Sequence, residues 1–288
     1  MTNAVIILLV IILKKEILFS CREDVLKIHH TLTAEPSVNN FAFQSHSHNM
    51  YEIYLFLAGE GDFVVEGNVI PLERGTLIFT LCGQTHKLLL KSSEEPYERI
   101  VLMFGEKYFP KNCEDLLEIA SNRGCVANLS EQEINWFLQT IEIFKKSTTQ
   151  TSVNILASSF INLSIYKIMS ISRASNFYEE TEDDLVKQII RYIDRNLSKS
   201  ISLDIIGKAF YRDKAYLGRK FKSVMGCSIW EYITRKRIFS AREQLYLTQS
   251  VQDAFSSSGF GDYSAFYRKY KKYVGCSPTE DLKQFNEN

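Results

Sequence analysis

The chain has 288 residues, 45% of them hydrophobic, and equal numbers of basic and acidic side chains give a formal net charge of zero. That length allows two domains with separate cores, and the balance excludes a uniformly basic nucleic-acid coat. Six widely spaced cysteines form no Cys-x-x-Cys pair, which excludes a zinc-ribbon or dithiol motif and suits a reduced cytoplasm.

The chain opens on an unbroken apolar run, Ala4 to Leu13, followed by Lys14 and Lys15. It is too short to span a bilayer and has no clear small-residue cleavage site, so a buried strand, a partner contact or an upstream start choice is expected and no membrane association. From Phe41 to about Phe104 short β-branched and aromatic runs, such as Glu52–Leu57 and Asp62–Glu66, are punctuated by glycines 59, 61, 67, 75 and 83. This spacing predicts a small β-barrel or sandwich. Ser130-x-x-Glu133 then reads as a capping box ahead of one amphipathic helix, and a second helical stretch runs from Val153 to Ser170. Those helices either cover the barrel or pair subunits. The polar, acidic segment 175–184 is the expected linker.

Beyond it every segment reads as helix. Leu185, Ile189, Tyr192 and Ile193 stripe the first, and Ser202 precedes the second. Asp213 is the expected N-cap of a third, Ile229 to Leu247 a long joining helix, and Val251–Ser257 a fifth. A turn at Gly259-Phe260-Gly261 leads to Asp262, the expected cap of a helix from Tyr263 to Lys272. A basic aromatic block occurs twice, 49 residues apart: Arg219-Lys220-Phe221-Lys222 before Gly226-Cys227-Ser228, and Arg268-Lys269-Tyr270-Lys271 before Gly275-Cys276-Ser277. Residues 181–288 carry 19 positive against 13 negative charges, so an acidic front is joined to a basic back. A helix, a tight turn and a basic helix, repeated, is the layout of two helix-turn-helix units.

These residues resemble the AraC/XylS family of transcription regulators. The resemblance rests on Ile201-Ser202-Leu203-Asp204, on Tyr216-Leu217-Gly218-Arg219-Lys220-Phe221-Lys222 with Gly226, and on Gly259-Phe260-x-Asp262-x-Ser264-x-Phe266-x-Arg268-Lys269-Tyr270-Lys271-Lys272 with Gly275-x-Ser277-Pro278. It implies promoter DNA as partner. In each unit the second helix would enter a major groove. Lys214, Ala215, Tyr216, Arg219, Lys220 and Lys222 are the contact candidates in the first unit; Tyr263, Ser264, Tyr267, Arg268 and Lys271 are those in the second. Leu217, Phe221, Phe266 and Tyr270 recur on one helical face and are expected in the core. The chain departs from the family pattern at Gly207, Tyr211, Ala254, Phe255 and Ser258. Tyr211 stands where the turn usually has glycine and must avoid positive φ or be strained.

In the front half, His46, His48, Glu52 and His86 are competent ligands for a borderline divalent metal. On an extended strand, 46, 48 and 52 would share a face, with 86 returning from a neighbouring strand. The set resembles the first cupin motif, His-x-His-x3-Glu-x6-Gly, and Gly75, Gly83 and His86 match most of the second. The family resemblance also implies a small effector, a sugar or related metabolite, with His46, His48, Glu52, Tyr54 and His86 as its contacts. The expected architecture is therefore multidomain β + α: a cupin-like β-barrel with two following helices, used for sensing and dimerisation (1–174), a linker (175–184), and an all-α tandem helix-turn-helix domain (185–288). A cytoplasmic homodimer that touches RNA polymerase is the expected assembly, with no catalytic residue. Two other functions fit parts of the chain: a metal-dependent cupin enzyme with a basic accessory domain, which leaves the paired readers unexplained, and a degenerate regulator working mainly through protein contacts.

Overall fold

The computed structural model describes residues 15–23, 26–34, 45–92, 94–110, 120, 125–147, 149–172 and 185–287. The apolar run at Ala4–Leu13 and the linker at 175–184 lie outside them.

The front half is built from strands β1 (Lys15–Glu23), β2 (Leu26–Thr33), β3 (Tyr51–Ala58), β4 (Gly61–Val65), β5 (Asn68–Pro71), β6 (Thr76–Thr80), β7 (His86–Leu90), β8 (Tyr97–Phe104) and β9 (Cys125–Asn128). They form two antiparallel sheets, ordered β1-β2-β8-β3-β6-β9 and β5-β4-β7. One core lies between the sheets, where Tyr54, Phe56, Ile78 and Tyr97 meet Phe63, Val65, Ile70 and Leu88. A larger core lies on the other face of the six-stranded sheet. There Ile53, Leu55, Phe79 and Leu102 pack under α1 (Glu131–Lys146) and α2 (Gln150–Ser172) through Ile134, Phe137, Phe160 and Ile161. Strand β3 is thus buried on both faces, which is why it reads as continuous apolar sequence.

Two strands precede the region in which the sequence predicts them. In β2 the buried positions include His30, Thr31 and Thr33, so polar residues mask the alternation; His30 Nε2 lies 2.7 Å from Glu98 on β8. The Ser130 capping box is present, with Glu133 bonded back to the Ser130 amide, and both helices cover the barrel.

The back half contains α3 (Leu185–Arg195), α4 (Leu203–Ala209), α5 (Lys214–Met225), α6 (Ile229–Thr248), α7 (Val251–Ser257), α8 (Tyr263–Val274) and α9 (Pro278–Glu287). Units α4–α5 and α7–α8 are the two helix-turn-helices, and the joining helix α6 belongs to both cores. Its Ile229, Tyr232 and Ile233 pack with Leu217 and Phe221, while its Ile238, Ala241 and Leu245 pack with Phe266 and Tyr270. The four residues expected in the core are all buried.

The two turns solve one problem differently. Gly259 has φ +76, and an added Cβ would lie 2.6 Å from the Leu197 carbonyl oxygen, so conformation and space both require glycine. In the first unit Tyr211 itself takes φ +52, with its side chain 94% exposed. Gly207 accommodates this turn: its carbonyl accepts from Arg212 N at 3.0 Å, and a Cβ at 207 would sit 3.1 Å from Arg212 O. The departure at Ser258 is also satisfied locally, since its buried hydroxyl donates to Phe255 O and accepts from Phe260 N. Left-handed backbone at a bulky residue costs roughly 1 kcal/mol. Tyr211→Gly is therefore expected to raise stability by up to about 1 kcal/mol, less the glycine's extra unfolded-chain entropy. Urea unfolding checks this, and a loss of stability would contradict the strain.

Candidate functional site

The reading faces are assembled by matching caps. Asp213 accepts from Tyr216 N at 2.9 Å, and Asp262 accepts from Ser264 N and Ala265 N at 3.2 and 2.7 Å. Each following helix closes on a glycine in the left-handed region, Gly226 at φ +73 and Gly275 at φ +98. With the apolar stripe turned into the core, the eleven contact candidates of α5 and α8 are all exposed. Among the described residues Arg219 and Arg268 have no carboxylate partner, so their guanidinium groups are free to meet an acceptor. Lys214 differs, since its ammonium pairs with Asp204 at 2.7 Å. Helix α6 spans 20 residues, about 30 Å at 1.5 Å per residue, close to the roughly 34 Å of one DNA turn.

The histidine set converges, though by another route than one shared strand. Strand β3 begins only at Tyr51, and His46 reaches the cluster through an isolated bridge to His86, with both amide-to-carbonyl contacts at 3.0 Å. The strand-face expectation fails because His48 turns its Nδ1 onto the Met50 carbonyl at 2.9 Å, within an irregular segment. Candidate ligand atoms of His46, His48 and His86 nevertheless lie within 4.8 Å of one another. Glu52 joins them, its Oε2 standing 3.0 Å from His48 Nε2 and 3.7 Å from His86 Nε2. Tyr54 lies two residues along on the same inward face, buried, with its hydroxyl 2.5 Å from that of Tyr97.

The donors fit a cation. His86 is 2% exposed and its Nδ1 donates to Gln84 O at 3.0 Å, which leaves its buried Nε2 lone pair without a hydrogen-bond partner and facing a carboxylate. His48 has acceptors at both ring nitrogens, Met50 O and Glu52, whereas a neutral ring has one proton to give. A positive ion between these nitrogens and Glu52 relieves both conflicts, and the carbonyls hold the rings as outer-shell partners do at metal sites.

Burial pushes His86 down to about 3, so the ring stays neutral. Burial opposes ionisation of Glu52, but the attraction of His86 once it is protonated, the hydrogen bond from His48 and the positive charge that His48 and His46 can carry outweigh it and hold the carboxyl low, at about 2. A buried group kept neutral below its ordinary value of 6.5 contributes stability above that pH and loses it as pH falls towards 3. With chelator present, the barrel is expected to lose about 2 kcal/mol between pH 7 and pH 5. His86→Gln should flatten this slope in denaturant titrations. An unchanged slope would assign the acid sensitivity elsewhere.

Sequence reasoning missed the surface where the halves meet. Tyr232 of α6 donates to the buried Glu66 carboxylate, Arg235 Nη2 donates to Thr85 Oγ1 at 2.8 Å, and a Cβ at Gly83 would collide with Phe239. Lys236 lies 3.2 Å from Asp194 and 3.8 Å from Glu66. Nothing in the periodicity marks these residues, because all but Gly83 and Phe239 are polar and every one sits on a helix, strand end or loop that is otherwise ordinary.

A two-sheet barrel with an inward polar site, docked on tandem helix-turn-helix units, defines a ligand-binding domain coupled to a DNA reader. Residues 31–160 match the AraC-like ligand binding domain and residues 206–284 match a helix-turn-helix domain. The HTH-type transcriptional activator RhaS of Yersinia pestis (strain Pestoides F) is 25% identical over 250 residues, covering 83% of this chain and 89% of RhaS. RhaS of Yersinia pseudotuberculosis serotype O:1b (strain IP 31758) gives the same figures. Among solved structures, ToxT from Vibrio cholerae O395 is 13% identical, with 90% of this chain and 98% of ToxT covered at a TM-score of 0.38. The chain belongs to the AraC family of DNA-binding transcription regulators. No helix among the described residues is long and apolar enough to cross a membrane.

Proposed function

We propose that this protein is a cytoplasmic, one-component transcriptional activator in which a small ligand in the barrel sets the grip of two reading helices on promoter DNA. Residues 1–174 form the sensor, 175–184 the linker and 185–288 the reader. The carrying observation is the pair of equivalent exposed faces on α5 and α8, each capped, each closed by glycine, and each presenting an arginine without a carboxylate partner among the described residues. Lys214, Ala215, Tyr216, Arg219, Tyr263, Ser264, Tyr267 and Arg268 face base edges, while Lys220, Lys222 and Lys271 meet phosphates. The chain has the length and arrangement of the RhaS proteins, whose name describes activators, and activation is carried over from that likeness; a contact with RNA polymerase is the route we propose for it. Purified full-length protein offered sheared genomic DNA should retain discrete fragments, with two footprints about one helical turn apart. Retention no better than for random competitor would remove the reading.

In the sensor, His46, His48, Glu52 and His86 hold a divalent metal, which would supply a Lewis-acidic point for an oxygen-rich effector such as a sugar or related metabolite. Zinc titrated against a chromophoric chelator should bind at one per chain, and His86→Ala should weaken it at least tenfold. Equal affinity in the variant would leave the histidines as direct effector contacts with Tyr54. Homodimerisation uses the outer face of α2, where Ile155 and Tyr166 are exposed eleven residues apart and so stand in line.

A further inference from the structure

The irregular segment between residues 45 and 50 carries two of the four candidate ligands, His46 and His48. The residues flanking them leave the barrel altogether. Ser45, immediately before His46, donates its hydroxyl to the carbonyl of Met225. Asn49, immediately after His48, donates its side-chain amide to the carbonyl of Val274 at 2.6 Å. Met225 and Val274 are the last residues of α5 and α8 and lie 49 residues apart, the interval of the repeated block. One short segment thus holds the same carbonyl in both reading helices.

The other side of the cluster is held by the joining helix. His86 opens β7 directly after the loop 81–85, in which Thr85 accepts from Arg235 and Gly83 lies against Phe239, both on α6. Segment and loop are tied backbone to backbone, by the His46–His86 bridge and by Gly83 N donating to His48 O at 2.8 Å. The cluster therefore sits where three helices of the reader meet the barrel. The contact candidates on α5 and α8 stay exposed in this docked arrangement, so the barrel does not act by covering them. What it can alter is the position of the two helix ends.

The ligand atoms lie within 4.8 Å of one another, whereas nitrogens around one tetrahedral zinc stand roughly 3.4 Å apart. Drawing His46 and His48 in around one ion loads the short backbone segment that carries both, and Ser45 and Asn49 are their immediate neighbours. We infer that residues 45–49 form a coupling arm through which a divalent cation at His46, His48 and His86 shifts the ends of both reading helices together and so changes affinity for DNA. This rests on the metal reading of the site. It adds the route of transmission, and it predicts equal involvement of both readers.

The test uses the full chain, zinc, and a genomic fragment retained by the wild type. Zinc affinity is measured against a chelator, and fragment affinity by anisotropy with and without zinc. In the wild type zinc should shift fragment affinity by about fivefold or more. In Ser45→Ala/Asn49→Asp zinc should bind as before while the shift disappears, because both donors are gone and every ligand remains. An undiminished shift in the double variant overturns the arm and leaves the metal site standing. Zinc binding without any shift in the wild type overturns it as well, and absence of zinc binding removes the site and the arm together. Should the double variant fail to fold, amide exchange in the wild type decides: zinc must change protection at both 224–228 and 273–277, and a change at neither or only one end overturns the proposal.

Discussion

Arg268→Ala is expected to weaken promoter binding by 1–3 kcal/mol, about fivefold to 150-fold, and to relax sequence preference at the base it reads. Arg219→Ala should do the same at a second position about one helical turn away. Both guanidinium groups stand on exposed faces and lack a carboxylate partner among the described residues, so no internal ion pair is broken and the loss falls on the DNA contact. A planar fork meeting guanine O6 and N7 contributes specificity, whereas a lysine mostly contributes charge. Lys271→Ala and Lys222→Ala should accordingly weaken all sequences alike and lower the salt dependence by about one ion each. Lys214→Ala is the informative contrast, since its ammonium already has Asp204 at 2.7 Å and exchanges one partner for another on DNA. Anisotropy titrations at fixed salt, with specific and random duplexes, separate these cases. If both arginine variants and their double bound within twofold of wild type, recognition through these helices would be refuted and the reading by protein contacts would return.

Asp281→Ala is expected to cost 3–5 kcal/mol and to abolish DNA binding through loss of fold. The carboxylate is 4% exposed and accepts four hydrogen bonds: Arg242 Nε at 2.8 Å, Arg242 Nη2 at 3.1 Å, Tyr246 hydroxyl at 3.0 Å and Tyr270 hydroxyl at 2.7 Å. It ties α9 to the joining helix and to the second reading helix. Burial disfavours the charge on Arg242, yet the hydrogen bonds it donates to Asp281 and the attraction of that carboxylate raise its pKa, so removing the carboxylate strands a largely buried cation. Two phenolic hydroxyls lose their acceptor at the same time. Asp281→Asn keeps the shape and one acceptor oxygen and should cost distinctly less. Urea midpoints distinguish this hub from a surface pair, for which the change would stay below about 1 kcal/mol.

Much of the reader was legible in the sequence because local chemistry there agrees with the tertiary arrangement. Asp213 and Asp262 cap the helices predicted for them, Gly226 and Gly275 close them, and the apolar period places Leu217, Phe221, Phe266 and Tyr270 inside. Of the two outcomes left open at Tyr211 the backbone takes positive φ, while the remedy at Gly207 was not foreseeable, since it depends on how closely the turn approaches α4. Helix α9 escaped notice because its apolar residues are few and its anchor is the polar Asp281. In the barrel, β2 was hidden by histidine and threonine at buried positions. The ligand set was recognisable from its spacing, yet its assembly was not: His46 arrives through a bridge to a distant strand, and pairing across some forty residues leaves no periodic trace. The docking contacts of Ser45, Asn49, Glu66 and Tyr232 were equally silent.

Helix α6 furnishes a wall to each of the two reader cores, and neither core can release its stretch without exposing Ile233 or Ile238 and their neighbours to water. It therefore works as a ruler that cannot be twisted. Inserting five base pairs between the two half-sites turns the second through about half a revolution, onto the opposite side of the duplex. A linker of loose chain would follow such a change with a graded loss. This protein should instead drop abruptly to the affinity of a single half-site, and recover when ten base pairs restore the phase only as far as the DNA itself can bend.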